Sequence, residues 1–288
     1  MPSCGNEKKA VILQRILKNN QLNYKHYEEN TQREIMDRQA NIEKSIAYLA
    51  ADEQVRCRIP SSPGERQRLL RALMNVWEPK ELPEEFLAMQ DAELQAQAAN
   101  KGEVTIESLK SNAESSPFLL WQGDITRLQA DAIVNAANAQ ALGCWSPLHN
   151  CIDNCIHSAA GLQLRKACYD HMQGRLLATG DAFITHGYNL PAKYVLHTVG
   201  PIVTDDRPTK QQEEQLASCY RRCMELAEEN GLESIAFCCI STGVFRFPNQ
   251  RAAEIAVSTV KQFPRKNLKT IVFNVFLDKD YAIYRALL

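Results

Sequence analysis

The fold is decided by the stretch Ser234-Ile-Ala-Phe-Cys-Cys-Ile-Ser-Thr-Gly-Val-Phe-Arg-Phe-Pro248. Its first part is an almost unbroken apolar run, which is typical of a buried strand. Ser-Thr-Gly then interrupts the run, and a helical pattern follows over Asn249–Phe263. A buried strand that leads through a short loop into a helix is the repeating unit of layered α/β domains.

The same alternation of strand and helix patterns runs on both sides of this unit, from Phe118 onward. The predicted strands are Phe118–Gln122, Ala132–Asn135, Asp181–Thr185, Tyr194–Thr198, Ser234–Ile240 and Thr270–Leu277. The predicted helices are Ile152–Met172, Lys210–Asn230, Asn249–Phe263 and Lys279–Leu288. This order predicts a sheet that is covered by helices.

The first hundred residues have a different pattern, which is helical. Apolar residues recur at helical spacing in Val11–Leu17 and Leu70–Trp77, and prolines separate the segments. The polar segment Asn100–Pro117 predicts a connection between two units. We therefore predict a helical extension over residues 1–108 and an α/β domain over residues 109–288.

The composition is that of an ordinary globular protein, with 288 residues, 45% of them hydrophobic and 23% charged. The formal net charge of -1 provides no basic field, so we predict no sequence-specific nucleic-acid partner. No apolar run is long enough to cross a bilayer, and the first residues lack the apolar core of a signal peptide. We therefore predict a cytoplasmic protein without a membrane partner, whose cysteines stay reduced and available for metal.

Three residues in the stretch Gly143–Asn154 have side chains that bind metal ions, namely Cys144, His149 and Cys151. Thiolate and imidazole together suit Zn²⁺. Structural zinc sites have four protein ligands, whereas catalytic sites keep one position open, so a group of three beside Asp153 indicates chemistry. Asp153 fits a general base, and it also fits an acid that the helix dipole favours in a first turn.

The same stretch allows two other interpretations. The cysteines fit packed thiols and His149 fits a surface imidazole, because the spacing is not one of the paired Cys-x-x-Cys patterns of zinc ribbons. Cys155 lies one helical turn after Cys151 and is an alternative ligand, which would give a closed site with four protein ligands.

Three further loops follow predicted strands, where open α/β sheets bind their ligands. Asp124 follows the first strand and can accept a hydrogen bond from an exocyclic amine, while Asn135 and Asn138 provide amides that suit sugar hydroxyls. The backbone N–H groups of Ser241–Phe245 can surround a diphosphate. Taken singly, each loop also fits an ordinary turn or strand–helix connection.

Six motifs in this order resemble the macrodomain family, which binds ADP-ribose. They are Gly123-Asp-Ile-Thr126, Ala132-Ile-Val-Asn-Ala-Ala-Asn138, Ile152-Asp-Asn-Cys-Ile-His-Ser-Ala-Ala-Gly161, Gly180-Asp-Ala-Phe-Ile-Thr185, Tyr194-Val-Leu-His-Thr-Val-Gly-Pro201 and Ile240-Ser-Thr-Gly-Val-Phe245. Each motif is weak alone, but all six in one order are highly specific. The resemblance covers residues 118–288 and implies a three-layer α/β/α macrodomain with a mixed central sheet, preceded by an α-helical extension.

One segment departs from the usual pattern of macrodomain hydrolases. Where those have a run of glycines, this chain has Cys144-Trp-Ser-Pro-Leu-His-Asn-Cys151. This segment is similar to a zinc-dependent subclass of macrodomains, which removes ADP-ribose from proteins. That subclass also has a helical extension, which matches residues 50–100 here. A second departure is Arg246, where many members of the family have glycine.

The resemblance implies a role for each candidate residue. Asp124 and the N–H of Ile125 would bind adenine, Asn138 would contact the distal ribose, and Asp153 would act in catalysis with Asn138 beside it. The diphosphate and distal ribose would lie against Ser241, Thr242, Gly243, Val244 and Phe245. Zn²⁺ would be bound by Cys144, His149 and Cys151.

The reaction that the resemblance implies is hydrolysis of mono-ADP-ribose from a modified protein, with an Asp or Glu ester as the expected linkage. Two alternatives stay open at the level of sequence. One is an ADP-ribose-binding reader module with a structural zinc and no turnover. The other is a structural or redox-sensing zinc protein, in which Cys155 completes a closed site.

Overall fold

The computed structural model describes residues 36–110 and 116–288, so the helix predicted at Val11–Leu17 lies outside the described residues. Within them, the predicted order of strands and helices is confirmed, with small differences at the ends. The helices are residues 36–52 (α1), Pro63–Val76 (α2), Glu84–Lys101 (α3), Ile106–Lys110 (α4), Ile152–Ala160 (α5), Leu162–Met172 (α6), Lys210–Glu229 (α7), Asn249–Gln262 (α8) and Asp278–Leu287 (α9). The strands are Val104–Thr105 (β1), Phe118–Gln122 (β2), Leu128–Gln129 (β3), Ala132–Ala136 (β4), Ala182–His186 (β5), Tyr194–Thr198 (β6), Ser234–Phe237 (β7) and Thr270–Val275 (β8).

Six of the strands form the central sheet, in the order β2-β8-β7-β4-β6-β5. Neighbouring strands are parallel except β5, which pairs with β6 in the antiparallel direction. The sheet is therefore mixed, as predicted. Every residue of β7 and β8 is buried, and this requires cover on both faces of the sheet.

Two groups of helices provide that cover. The first group is α5 and α6, which pack against each other and against β4 and β5. The second group is α7, α8 and α9, which pack side by side and contact β5, β6 and β2. The three-layer α/β/α fold with a mixed sheet is confirmed. No helix in the described part of the chain is long and apolar enough to span a bilayer.

The single helix predicted over Ile152–Met172 is wrong at Gly161. This residue has a φ of +99°, which lies outside the helical region and separates α5 from α6. A Cβ built on Gly161 would lie 2.8 Å from Gln90 Nε2, so α3 packs closely against the break. Gln90 Oε1 accepts a hydrogen bond from the Leu162 N–H, which caps the start of α6.

The helices of the extension have their own apolar core, which is joined to the α/β domain. Its buried residues come from α1, α2 and α3, from Trp77 directly after α2, and from Leu162 of α6. The segment predicted as a connection is partly structured, since β1 pairs with β3 and Ile106 of α4 joins the core of the α/β domain. The predicted domain boundary at residues 108 and 109 falls inside α4 and stays a prediction.

Candidate active site

The polar loops gather at one edge of the sheet. The carboxyl ends of β2, β8, β7 and β4 lie together there because these strands are parallel. At this edge the Gly123 N–H, directly after β2, donates a hydrogen bond to Val275 O at the end of β8, at 3.0 Å. The loops that begin with Gly123, Ala137 and Cys238 therefore lie at the same edge of the sheet.

Asp124 begins a single 3-10 turn over Ile125–Arg127 at one end of this edge. Its Oδ1 accepts from the Thr126 N–H at 3.0 Å and from the Thr126 hydroxyl at 2.6 Å, and its Oδ2 lies 3.3 Å from Lys101 Nζ of α3. Burial raises the pKa of Asp124, but the Thr126 hydroxyl and Lys101 outweigh burial and lower it. The carboxylate is therefore ionised at neutral pH and can accept a hydrogen bond from an amine.

Two amides hold a buried carboxylate at the end of β4. Asp153, in the first turn of α5, is 4% exposed. Asn135 Nδ2 donates to Asp153 Oδ1 at 2.8 Å, and Asn138 Nδ2 donates to Asp153 Oδ2 at 3.3 Å. Burial raises the pKa of Asp153 to about 6, against the opposing effects of Asn135 and Arg165. The arrangement orients one buried carboxylate at this edge of the sheet, which suits a general base.

Asn138 also fixes the turn that leaves β4. Its Oδ1 accepts from the N–H groups of Gln140 and Ala141, and its Nδ2 donates to Gly143 O at 3.0 Å. Together with the bond to Asp153, these contacts use both acceptor positions of the Asn138 side-chain oxygen and both of its N–H donors. Asn138 would therefore have to give up one of these hydrogen bonds in order to bind a ribose. The predicted role of Asn138 in binding stays a prediction.

The structure brings Cys144, His149 and Cys151 together. Cys144 Sγ lies 3.5 Å from His149 Nδ1, and the three ligand atoms all lie within 4.8 Å of one another. Cys151 is the N-cap residue of α5, and its Sγ accepts from the Asn154 N–H. This places the group at the start of the same helix turn that carries Asp153.

Cys155 does not join this group in the described part of the chain. Its Sγ lies 3.9 Å from a guanidinium nitrogen of Arg71 on α2. The cluster of candidate ligand atoms contains three residues from the described ranges, and Cys155 is absent from it. The arrangement of the side chains favours a three-ligand site over a closed site that includes Cys155.

The loop Ser241–Phe245 follows β7 at the centre of the edge. Ser241 has a φ of +66°, and Gly200 packs so closely that an added Cβ would lie 1.9 Å from Ser241 Oγ. The Val203 N–H donates to Phe245 O, while Val244 is 71% exposed. A left-handed residue is one component of the backbone nests in which successive N–H groups bind an anion, so this loop suits a diphosphate.

A second group of histidine and cysteine side chains lies under Asp153. His157, Cys168 and His197 are all buried, and their ligand atoms lie within 4.8 Å of one another. His197 Nδ1 lies 3.2 Å from Asn135 Nδ2, and His197 Nε2 lies 3.0 Å from Thr185 Oγ1. Burial lowers the pKa of His197 to about 3, so the ring is neutral. Its Nδ1 contact helps to hold the Asn135 side chain that bonds to Asp153.

Sequence reasoning missed two residues at the edge. Phe276 follows β8 and is 72% exposed, although it lies in an apolar run that predicts a longer strand. Its carbonyl accepts from Gln122 Nε2, which places it beside the Gly123 loop. Lys101, at the end of α3, reaches Asp124 from the extension. The sequence carries no signal for Phe276, because the residue continues the apolar run of β8 and only the structure shows that it is exposed.

Comparison with known proteins gives relatives along most of the chain. A Macro domain family model matches residues 134–256. A protein-ADP-ribose hydrolase of Treponema medium is 51% identical over 236 residues, which are 80% of this chain and 90% of the relative. A protein-ADP-ribose hydrolase of Staphylococcus aureus (strain MSSA476) is 47% identical over 232 residues, which are 79% of this chain and 86% of the relative.

Two solved structures have a similar fold. The macrodomain of Trypanosoma brucei in complex with ADP-ribose is 32% identical, with a TM-score of 0.58 over 79% of this chain and 96% of that structure. The macrodomain of Oceanobacillus iheyensis with ADP is 39% identical, with a TM-score of 0.54 over 61% of this chain and 92% of that structure. The chain shares about half of its aligned residues with the two hydrolases and covers most of their length. It therefore belongs to the macrodomain family.

Proposed function

We propose that this protein hydrolyses ADP-ribose from modified protein side chains, with Zn²⁺ as its cofactor and an Asp- or Glu-linked ADP-ribose as its substrate. The observation that carries the proposal is the position of Asp153, a buried carboxylate held by Asn135 and Asn138 at the edge of the sheet where the polar loops gather. It lies two residues after Cys151 of the candidate metal group. The relatives named protein-ADP-ribose hydrolase support the reaction.

The loops along the edge suit the successive parts of ADP-ribose. The ionised carboxylate of Asp124 accepts from the adenine amine, and the Ile125 N–H donates to a ring nitrogen of adenine. The N–H groups of Ser241–Phe245 bind the diphosphate. The distal ribose then lies at the other end, near Asn138 and Asp153. The solved structures that contain ADP-ribose or ADP support this class of ligand.

The residues of the metal group fit Zn²⁺ by their chemistry. Two thiol sulfurs and one imidazole nitrogen are donors that zinc prefers, and they lie close together on one loop. Cys144, His149 and Cys151 would hold the ion, which leaves a position for substrate or water. When bound, zinc supplies Lewis acidity that polarises a neighbouring oxygen.

The chain itself supplies the base. Hydrolysis of the ester forms a bond between water oxygen and the anomeric carbon of the distal ribose, and breaks the bond from that carbon to the side-chain carboxylate. The leaving carboxylate needs no proton, so one base is enough to take the proton that water releases. Asp153 accepts this proton, and Asn135 and Asn138 hold its two oxygens in place.

The proposal is tested by the release of ADP-ribose from two labelled proteins, one modified on glutamate and the other on arginine. We expect free ADP-ribose from the glutamate-linked protein and little from the arginine-linked one, because an arginine leaving group requires a proton. Binding of ADP-ribose without release from either protein would instead identify a reader module. Release from the arginine-linked protein alone would contradict the proposed linkage.

Replacing Phe276 by alanine should lower the affinity for ADP-ribose about 5- to 150-fold, because stacking of a base on an aromatic ring contributes about 1–3 kcal/mol. The exposed ring follows β8, which pairs with the strand that leads to Asp124, and we propose that it stacks on adenine. The melting temperature should change little, since the ring is 72% exposed. Calorimetric titration with ADP-ribose measures the effect.

Two variants provide the controls for Phe276. Phe276→Tyr keeps an aromatic ring and should retain affinity. Met36→Ala removes another exposed apolar side chain, on α1 of the extension, and should not change the affinity for ADP-ribose. Equal affinity of the wild type and Phe276→Ala would show that adenine does not stack on this ring.

A further inference from the structure

A helix of the extension holds the loop that carries the metal group. We name residues 143–151 the metal loop. Arg71 of α2 donates from Nη2 to His149 O at 2.9 Å and to Asn154 Oδ1 at 2.8 Å. Its Nε donates to Ser158 Oγ at 3.2 Å. One guanidinium therefore joins the backbone of a candidate zinc ligand to two residues of α5.

Asn75, one helical turn later on α2, holds the residue before that ligand. Its Oδ1 accepts from the Leu148 N–H at 2.9 Å, and its Nδ2 donates to Ser158 Oγ at 3.0 Å. Leu148 has a φ of +59°. A leucine in the left-handed region is strained and keeps that conformation where its surroundings impose it. The buried Asn75 side chain imposes it here.

A third contact joins the end of α2 to the start of the metal loop. The buried Arg165 donates to Asn75 O and to Trp77 O, both at 2.9 Å. Its guanidinium carbon lies 4.3 Å from the centroid of the Trp145 ring. Trp145 follows Cys144 directly, so α2 is connected to both ends of the segment from Cys144 to His149.

We propose that Arg71 and Asn75 are positioning residues for the metal site, through which the helical extension sets the affinity for Zn²⁺. The inference rests on the zinc site of the proposed function. Neither side chain is a ligand, and both act through the backbone of Leu148 and His149. Partners that orient metal ligands typically change metal affinity about 10- to 100-fold when they are removed.

The test is the zinc dissociation constant of the full chain, measured by competition with a chromogenic chelator in the absence of substrate. The variants are Arg71→Ala, Arg71→Lys and Asn75→Ala, with Arg68→Ala as the matched control. Arg68 lies on the same helix and is exposed to solvent. Arg71→Lys keeps the charge and the apolar stem but loses the planar fork that serves several acceptors.

We expect Arg71→Ala and Asn75→Ala to weaken zinc binding about 10- to 100-fold, Arg71→Lys to weaken it less, and Arg68→Ala to leave it unchanged. The melting temperature of each metal-free variant is measured in parallel, to show whether it folds. If an alanine variant does not fold, the zinc affinity of Arg71→Lys is compared with that of the wild type instead. Wild-type zinc affinity in the Arg71 and Asn75 variants would overturn the inference, as would a wild-type protein that binds no zinc. An inactive wild type whose zinc affinity depends on Arg71 would overturn the proposed function and support this inference.

Discussion

Replacing Cys151 by serine should remove bound zinc and slow the release of ADP-ribose by at least about a thousandfold. The serine hydroxyl keeps the size of the thiol but does not ionise to a soft anion, so the site loses one of three candidate ligands. Lewis acidity from a metal contributes several kcal/mol to a transition state, and about 4 kcal/mol corresponds to a factor of a thousand. Elemental analysis and single-turnover release of labelled ADP-ribose measure the two effects.

Two further cysteine variants show whether the effect is specific. Cys57→Ser changes an exposed cysteine of the extension and should leave both zinc content and rate unchanged. Cys155→Ser removes the thiol beside Arg71 and should retain zinc, because it lies outside the ligand group. Zinc loss from Cys155→Ser would favour a closed four-ligand site, and full activity of a zinc-free Cys151→Ser would contradict zinc catalysis.

Replacing Asp153 by asparagine should lower the rate of hydrolysis about 10²- to 10⁴-fold, the usual contribution of a general base. Asparagine keeps the shape and one acceptor oxygen, so it retains one of the two hydrogen bonds from Asn135 and Asn138 and loses the other, and it cannot take a proton from water. Affinity for ADP-ribose should be largely kept. Single-turnover hydrolysis and calorimetric titration with ADP-ribose separate the two quantities.

The matched control for Asp153 is Asp131→Asn, at the opposite edge of the sheet. Asp131 precedes β4 and accepts from the Ser234 N–H and hydroxyl, so its carboxylate is structural. We expect this variant to melt at a lower temperature but to retain turnover. An equal loss of affinity and rate in Asp153→Asn would identify Asp153 as a binding residue instead.

Strands and ligand loops were predictable from the sequence because their signals are local. The apolar run before Ser241 predicts a buried strand, and the polar residues after each strand mark the ligand edge. The spacing of Cys144, His149 and Cys151 within one loop likewise places three donors near each other, whatever the rest of the fold does. Each of these predictions depends on residues that are close in the chain.

The contacts of Arg71 and Asn75 with the metal loop could not be predicted in the same way. Arg71 and Asn75 lie in an ordinary amphipathic helix, and their partners are more than seventy residues away in the chain. Gly161 interrupts a continuous helical pattern, and the reason is its packing against Gln90 of another helix. Such long-range contacts leave no periodicity in the sequence, so composition and spacing do not reveal them.

Leu162 belongs to the apolar core of the extension, although it begins a helix of the macrodomain, and its N–H is capped by Gln90 from the extension. Two regions that share a buried side chain in this way lose packing together when either one opens. The extension and the macrodomain should therefore melt as one cooperative unit, in a single calorimetric transition whose enthalpy agrees with the van't Hoff value.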